Sequence, residues 1–364
     1  MAAVTRARDV RVRAAEPGEG RAVAALWREL WDVHEGWGGY AGSHDERVYD
    51  QLAARLEQDA SVRCGQPVLG RHVHLVAELD GEVCGQDEGW FERHGVDPTT
   101  PHTCEVRSLI VAARARGSGA GRALLDELAR TAAEMARGAA VVLVAEVLEP
   151  NPALTFYERV GYVPVSWSAR VDVRDARDSY ASSAGYGARV GEPKDALPIA
   201  LLEGTLAARR RASGDVRFDR PRAVDATFVG AIAAHLAHGL AGGPIDPGEL
   251  VVLDGGGAVR GAASFAVNAL EPPFLPVRRA MVGRFALDAA RDPALMVGPL
   301  VAFGCRLAAQ RGAPSVELTD LTEPGSPLHD AAIAAGGRAW SRVVARVMHL
   351  PSSSSGRISP GTVF

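Results

Sequence analysis

The sequence predicts an α/β protein made of two tandem copies of one unit, each a mixed central sheet flanked by helices. An internal repeat is the first observation. A shift of 176 positions, from Glu16 to Glu192, superimposes identical residues, and a shift of 174 continues the match toward the end of each half. The matched residues of the first half are Glu16, Pro17, Ala24, Leu26, Leu30, Gly81, Val83, Gly85, Gly138, Ala139, Glu149 and Pro150. Collinear matches of this kind indicate duplication.

The order of elements in the first half is the second observation. Apolar residues at helical spacing predict helices, alternation predicts strands, and the turn at Gly81 predicts a hairpin. The predicted strands cover residues 10–14, 73–78, 82–91, 105–111 and 141–148. The predicted helices cover residues 20–33, 45–58, 121–137 and 151–160, and two closing strands follow. We therefore expect domains at 1–173 and 188–350, a linker at 174–187 and a mobile tail at 351–364.

Composition excludes several classes of protein. With 364 residues and a formal charge of -4, the chain has the size of two domains and no global basic field, so we expect no nucleic-acid partner. The four cysteines form no CxxC pair, which predicts reduced thiols and no metal site. No signal peptide and no run of about 20 apolar residues is evident, so we expect a cytoplasmic protein without a membrane partner. A homodimer is compatible with these observations.

A glycine-rich loop, Arg116-Gly117-Ser118-Gly119-Ala120-Gly121-Arg122, lies between a predicted strand and a predicted helix. Glycines allow tight turns that present backbone N–H groups, and the helix start adds its positive dipole, so the loop is suited to a pyrophosphate. An ordinary strand-to-helix turn is the alternative. Arg122 or Leu124 stands where a dinucleotide-binding loop needs a small residue. A Walker loop needs a lysine, which the first half lacks.

The loop resembles motif A of the GNAT superfamily of acyl-CoA-dependent N-acyltransferases. Arg116, Gly119 and Gly121 occupy the motif positions, and Leu109-Ile110-Val111 looks like the strand that precedes it. Downstream, the segment from Asn151 to Tyr162, with Phe156-Tyr157 and Gly161, looks like the family's second signature. The resemblance covers about residues 10–173.

The resemblance implies an N-acetyltransferase that moves an acetyl group from acetyl-CoA to an amine by direct attack. In this family the loop 116–122 would bind the pyrophosphate, the backbone of residues 109–111 and the side chain of Asn151 would hold the pantetheine arm, and Tyr157 would be the general acid. Tyr157 could instead be a packed aromatic residue, and Asn151 a turn former. Glu105 is the predicted general base and Glu146 its rival, although either could be a solvated charge.

The sequence does not identify the acceptor. Aromatic and polar residues of the first two helices and the loop joining them suit a small or flat amine but also plain packing. They are Trp27, Trp31, His34, Glu35, Trp37 and Tyr40. A non-catalytic acyl-CoA-binding or regulatory module, and an enzyme that acetylates a protein amine, are the alternative functions.

The second half departs from the motif. At the shift of 176, the residues that replace Arg116, Gly117, Gly119 and Gly121 are Asp292, Pro293, Leu295 and Val297. At the shift of 174, Gly325 and Ala331 replace Asn151 and Tyr157. Proline removes an N–H group and aspartate repels phosphate, so we expect a degenerate copy. Its basic run, residues 209–211, is expected to be solvated surface.

Overall fold

The computed structural model describes residues 10–37, 45–92, 102–137, 139–174, 185–218, 226–241, 248–269 and 278–348. In the first half the elements follow the predicted order as far as the last helix, with one short added strand at 68–69. They are β1 (Val10–Ala14), α1 (Gly20–Gly36), α2 (Glu46–Arg63), β2 (Val68–Leu69), β3 (His72–Leu79), β4 (Glu82–Glu92), β5 (His102–Val106), β6 (Ile110–Val111), α3 (Ala120–Ala136), β7 (Val141–Leu148), α4 (Ala153–Arg159) and β8 (Val163–Asp172). Helix α2 runs five residues beyond the predicted end at Gln58, to Arg63, where Cys64 adopts a left-handed conformation and ends it.

The second half repeats this order. Its elements are β9 (Gly187–Val190), α5 (Ala196–Ala212), α6 (Ala226–Ala241), β10 (Gly248–Leu253), β11 (Val259–Ala269), β12 (Arg278–Leu287), α7 (Ala294–Gln310), β13 (Ser315–Leu321), α8 (Pro327–Ala334) and β14 (Arg338–Met348). The α/β fold with two units of one plan is confirmed. The tail beyond residue 348 lies outside the described residues.

The strands of both halves form one sheet, in the order β1-β3-β4-β5-β7-β14-β8-β13-β12-β11-β10-β9, with β2 beside β3 and β6 beside β4. Strands β5 and β7 are parallel, as are β12 and β13, because a helix connects the strands of each pair. The other pairings of the sheet are antiparallel. Each half therefore contains a mixed sheet, and the two sheets are continuous.

The prediction of two closing strands in the first half is wrong. Only β8 follows α4 there, and β14 from the end of the chain lies between β7 and β8. Strand β14 pairs with β7 from Ser341↔Leu148 to Met348↔Val141. In turn, β8 pairs with β13 of the second half. Each half thus supplies a strand to the other, and local periodicity could not reveal the exchange because it says nothing about partners distant in sequence.

The structure also corrects the alignment of the two loops. Helix α3 begins at Ala120 and α7 at Ala294, so the shift at this point is 174 rather than 176. Pro293 therefore corresponds to Gly119 and Asp292 to Ser118. The substitution of proline for a loop glycine remains, at a different position of the loop.

Two clusters of buried side chains form the cores beneath α3 and α7. Leu124, Leu125 and Leu128 of α3 are fully buried against the strands of the first half. Helix α7 is long and apolar enough to cross a membrane, but Met296 and Leu300 are fully buried in the core of the second half. Its apolar composition is accounted for by this packing.

The basic run 209–211 is not a uniformly solvated surface. Arg210 is 4% exposed and donates hydrogen bonds to the backbone oxygens of Val165 and Asp320. Arg209 donates to the Leu287 oxygen at 3.0 Å. Burial of Arg210 was not visible in the sequence because helical periodicity does not distinguish a buried arginine from an exposed one.

Candidate active site

The sheet of the first half opens at the end of β5. Strand β5 pairs with β7 as far as Val106↔Ala145. Strand β6 pairs with β4, through Gly85↔Val111 and Gln86↔Ile110, and forms no ladder with β7. A gap thus separates β6 from the last residues of β7. The backbone between β5 and β6 turns away from β7 at residues 107–109.

The edge of β6 that faces the gap has free backbone groups. Ala112 donates to the Cys84 oxygen at 2.9 Å, so its N–H faces β4. Because N–H groups alternate along a strand, the N–H of Val111, the neighbouring residue of β6, faces the gap. The Val111 oxygen accepts a hydrogen bond from Arg116 Nε at 3.4 Å. An extended chain with amide groups could pair with this edge as an added strand.

The loop after β6 presents backbone donors at the start of α3. Gly117 and Gly119 have φ values of +82° and +94°, and a Cβ at either would meet no atom within 4 Å. No hydrogen bond is donated by the N–H of Gly117, Gly119, Gly121 or Arg122 within the part of the chain that the structure describes. Four unpaired N–H groups at a helix start favour an anion.

The remaining groups of the loop are engaged or exposed. Ala120 N–H donates to Ser118 Oγ at 3.3 Å, and the exposed Arg122 approaches Asp126 at 3.5 Å. Glu29 of α1 accepts hydrogen bonds from Ala113 N at 2.7 Å and from Arg116 Nη2 at 3.2 Å. Arg116 therefore braces the loop between α1 and β6, which is a positioning role that the sequence did not predict.

Helix α4 packs on the start of α3. A Cβ at Gly121 would lie 3.4 Å from the ring of Phe156 and 3.5 Å from Val111, so only a small residue allows this approach. Asn151 Oδ1 accepts a hydrogen bond from Ala153 N at 2.9 Å, which is the turn-forming role considered as its alternative. Its amide nitrogen donates no hydrogen bond within the described residues.

Tyr157 lies on α4 and is 6% exposed. Its ring centroid lies 5.6 Å from that of Phe156 and 5.1 Å from that of Tyr162. Burial, and secondarily the carboxyl group of Asp87, raises the pKa of Tyr157 above its ordinary value. The phenol is therefore protonated at neutral pH, and its hydroxyl has no hydrogen-bond partner among the described residues. Packing and a role as acid are both compatible with this position.

Asp87 is a buried carboxyl group that sequence reasoning missed. It lies on β4 with no exposed surface, and neither of its oxygens has a hydrogen-bond partner among the described residues. Burial, with a smaller contribution from Glu88, raises its pKa well above the ordinary value. Asp87 also raises the pKa values of Tyr157 and Tyr162, so it lies close to the proposed acid. The sequence did contain a signal for this buried carboxyl group, namely an aspartate at a position of β4 that faces the core.

The two candidate bases lie on the same face of the sheet, opposite α3. Glu105 of β5 is paired in register with Val144 of β7, and Glu146 lies two residues beyond Val144. Glu105 is exposed and pairs with Arg107 at 3.0 Å. Glu146 accepts a hydrogen bond from Ser341 at 2.7 Å and lies 3.4 Å from Arg279, both residues of the second half.

Two tryptophans of the predicted acceptor cluster belong to the core. Trp27 and Trp31 are each 8% exposed and their rings are 5.6 Å apart. His34 contacts Trp37 at 5.6 Å, and burial lowers the pKa of His34. Tyr40 lies outside the described residues. Plain packing therefore accounts for the tryptophans of α1.

Comparison with known proteins identifies the fold of this site. Residues 70–164 match the model of the acetyltransferase (GNAT) domain. This segment is a GNAT domain. No curated protein matches the sequence.

Several solved structures have a similar fold along most of the chain. A GCN5-related N-acetyltransferase from Sphaerobacter thermophilus is 16% identical with a TM-score of 0.53, and the match covers 94% of this chain and 96% of that one. The GCN5-related glucosamine N-acetyltransferase region of a fungal multi-domain GH3 β-N-acetylglucosaminidase is 12% identical with a TM-score of 0.51, covering 93% and 38%. A tandem GNAT protein from the clavulanic acid biosynthesis pathway is 16% identical with a TM-score of 0.48, covering 94% and 100%. At these identities the likeness concerns the GNAT fold.

Proposed function

We propose that the first half transfers an acetyl group from acetyl-CoA to the amine of a small-molecule acceptor. One observation carries the proposal. The free edge of β6 leads directly to the loop whose N–H groups at Gly117, Gly119, Gly121 and Arg122 have no partner. The amide-containing arm of acetyl-CoA fits such an edge, and its pyrophosphate fits such a loop.

The reaction would proceed by direct attack in a ternary complex. The amine nitrogen forms a bond to the thioester carbon, and the carbon–sulfur bond breaks. The departing thiolate takes a proton from Tyr157, while the proton of the amine passes to a base or to water. Burial keeps Tyr157 protonated until that step, and its unpartnered hydroxyl is free to donate.

Glu105 remains our proposed base. Its ion pair with Arg107 is exposed, and such pairs contribute about 0–1 kcal/mol, so a substrate amine could displace the arginine. Glu146 already accepts a hydrogen bond from Ser341 and faces Arg279. A carboxylate already held by a hydroxyl and a guanidinium is less available to contact a substrate amine.

The second half is proposed to bind no acyl-CoA. In α7 the first N–H groups are all used: Ala294 donates to Asp292 Oδ1, Leu295 to the Asp292 oxygen, and Met296 and Val297 to the Pro293 oxygen. Pro293 itself has no N–H to offer. The start of α7 therefore lacks the free donors that the start of α3 presents.

Substitution of Gly119 tests the loop. In Gly119→Val, a β-branched residue is forced into a left-handed conformation, and its side chain enters the open space above the loop. We expect acetyl-CoA affinity measured by calorimetry to fall at least tenfold. Gly257→Val is the matched control, since Gly257 has a φ of +80° and equally open surroundings in a turn of the second half. Both variants should lose similar stability, about 1–2 kcal/mol, and the control should bind normally.

Unchanged binding by Gly119→Val would refute the loop assignment. Release of free thiol in the presence of a panel of small amines then separates an enzyme from a non-catalytic acyl-CoA-binding module. Binding without thiol release from any small amine, together with acetylation of a protein, would favour the protein-amine alternative.

A further inference from the structure

A chain of buried polar side chains crosses the face of the sheet opposite α3. Arg63, the last residue of α2, is 3% exposed and lies 3.0 Å from His74 Nδ1. His74 Nε2 lies 3.1 Å from Gln86 Oε1, and Gln86 Nε2 lies 3.3 Å from Ser108 Oγ. His74, Gln86 and Ser108 are at most 4% exposed. The chain therefore connects α2 to the strand segment at the opening of the sheet.

The direction of every hydrogen bond in this chain is determined. A guanidinium can only donate, so His74 Nδ1 must accept and the ring proton must reside on Nε2. That N–H donates to Gln86 Oε1, and the Gln86 amide nitrogen then donates to Ser108 Oγ. Burial lowers the pKa of His74, which agrees with a neutral ring. Ser108 thus accepts from Gln86, and its own proton is free to donate onward.

A second branch compensates the buried charge of Arg63. Its other terminal nitrogen lies 3.0 Å from His72 Nδ1, and His72 Nε2 lies 3.3 Å from Glu88. His72 therefore bridges a buried guanidinium and a carboxylate, with the same tautomer as His74. This branch accounts for the presence of Arg63 in the core and leaves the first branch to end at Ser108.

Ser108 lies where the site opens. It falls between Val106, the last residue of β5 paired with β7, and Ile110, the first residue of β6. Further along β6, the N–H of Val111 faces the gap. A serine hydroxyl fixed here by Gln86 is a donor beside the path along which the thioester would lie.

We propose that Ser108 donates a hydrogen bond to the thioester carbonyl oxygen as negative charge develops on it, and that Arg63, His74 and Gln86 are positioning residues that aim this hydroxyl. The inference rests on the proposed function and deepens it. Without Gln86 the hydroxyl could rotate, and the donor would no longer be preorganised toward the oxygen.

Substitution of Ser108 tests the donor. Ser108→Ala should lower kcat about 100-fold, the effect typical of losing one such donor, with acetyl-CoA affinity unchanged by calorimetry. Ser108→Thr retains the hydroxyl and should recover most of the rate. Ser166→Ala is the control, because Ser166 is fully buried and its hydroxyl has no partner in the part of the chain that the structure describes. Its kcat should match that of the parent.

Reversing the direction of the hydrogen bond between Gln86 and Ser108 tests the positioning residues. In Gln86→Glu, the carboxylate would accept from both His74 and Ser108, so the serine proton would turn away from the site. We expect a loss of kcat as large as that of Ser108→Ala, and no further loss in the double variant. The proposal would be overturned if Ser108→Ala had the kcat of the parent. It would also be overturned if Ser108→Ala and Ser108→Thr lost kcat and acetyl-CoA affinity to the same extent.

A structural readout is independent of activity. Nitrogen chemical shifts of labelled histidines in the full chain at neutral pH should show His74 with the proton on Nε2. A proton on Nδ1 would overturn the chain direction whether or not the protein turns over substrate. By contrast, correct tautomers together with no thiol release by the parent would reject the proposed function alone.

Discussion

Asp87→Asn replaces the buried carboxyl group by an amide of the same shape. Asp87 is paired in register with Leu75, and a Cβ at Gly89, on the same face of β4, would meet Leu128 of α3 at 2.5 Å. The surroundings are therefore the apolar core beneath α3. Burial raises the pKa of Asp87 well above its ordinary value, so the folded protein holds a proton that the unfolded chain has released.

The sign of the effect follows from this proton. The folded-state pKa exceeds that of the unfolded chain, so the stability contributed by the protonated form is complete below the ordinary carboxyl pKa and is lost as pH rises toward the folded-state value. Because one proton is involved, this contribution to the free energy of unfolding falls by about 1.4 kcal/mol per pH unit across that interval. Within that interval the free energy of unfolding of the parent should therefore fall by about 1.4 kcal/mol per pH unit relative to that of Asp87→Asn.

Urea unfolding of both proteins at a series of pH values measures this difference. We expect the two free energies of unfolding to diverge as pH rises, with the parent falling faster. Asp50→Asn on the exposed surface of α2 is the control, and it should keep the pH dependence of the parent. Parallel curves for the parent and Asp87→Asn would show that Asp87 is ionised in the folded protein, which would refute the reasoning.

Three further predictions concern the site and the sheet. Tyr157→Phe should lower turnover far more than acetyl-CoA affinity, because the acid is lost and the ring packing against Tyr162 remains; equal turnover, measured where chemistry limits the rate, would leave Tyr157 a packing residue. Calorimetry should give one acetyl-CoA per chain, since the first N–H groups of α7 are occupied, and a stoichiometry near two would contradict this. A chain ending at residue 337 lacks β14 and should be insoluble, whereas one ending at residue 348 should be soluble; a soluble, active shorter chain would show that β14 is dispensable.

The order of elements in each half was predictable because its signals are local. Glycine at a positive φ, as at Gly81, marks the hairpin, and helical spacing of Leu124, Leu125 and Leu128 marks α3. The glycines of the loop were also informative, since Gly117 and Gly119 adopt the left-handed conformations that the interpretation required.

The parts that sequence could not supply depend on contacts between distant residues. The bond from Glu29 to Arg116 joins α1 to the loop across 87 positions, and Ser341 reaches Glu146 across 195. Neither of these two contacts leaves a local pattern in the sequence. The polar chain ending at Ser108 is of the same kind, because a histidine on β3 and a glutamine on β4 acquire meaning only once the register places them together.

The strand exchange gives a physical reason for the second half to persist even if, as we propose, it binds no acyl-CoA. Strand β7 continues the parallel ladder that forms one side of the site, and its outer edge is paired along its whole length by β14. Without that strand, β7 would be an exposed edge of apolar residues, which favours aggregation. The second half also supplies Ser341 and Arg279 to Glu146, on the face that carries both candidate bases. The presence of Ala331 where the first half has Tyr157, the proposed acid, is therefore compatible with retention of the second half. Completing the first sheet requires β14 and not a second site.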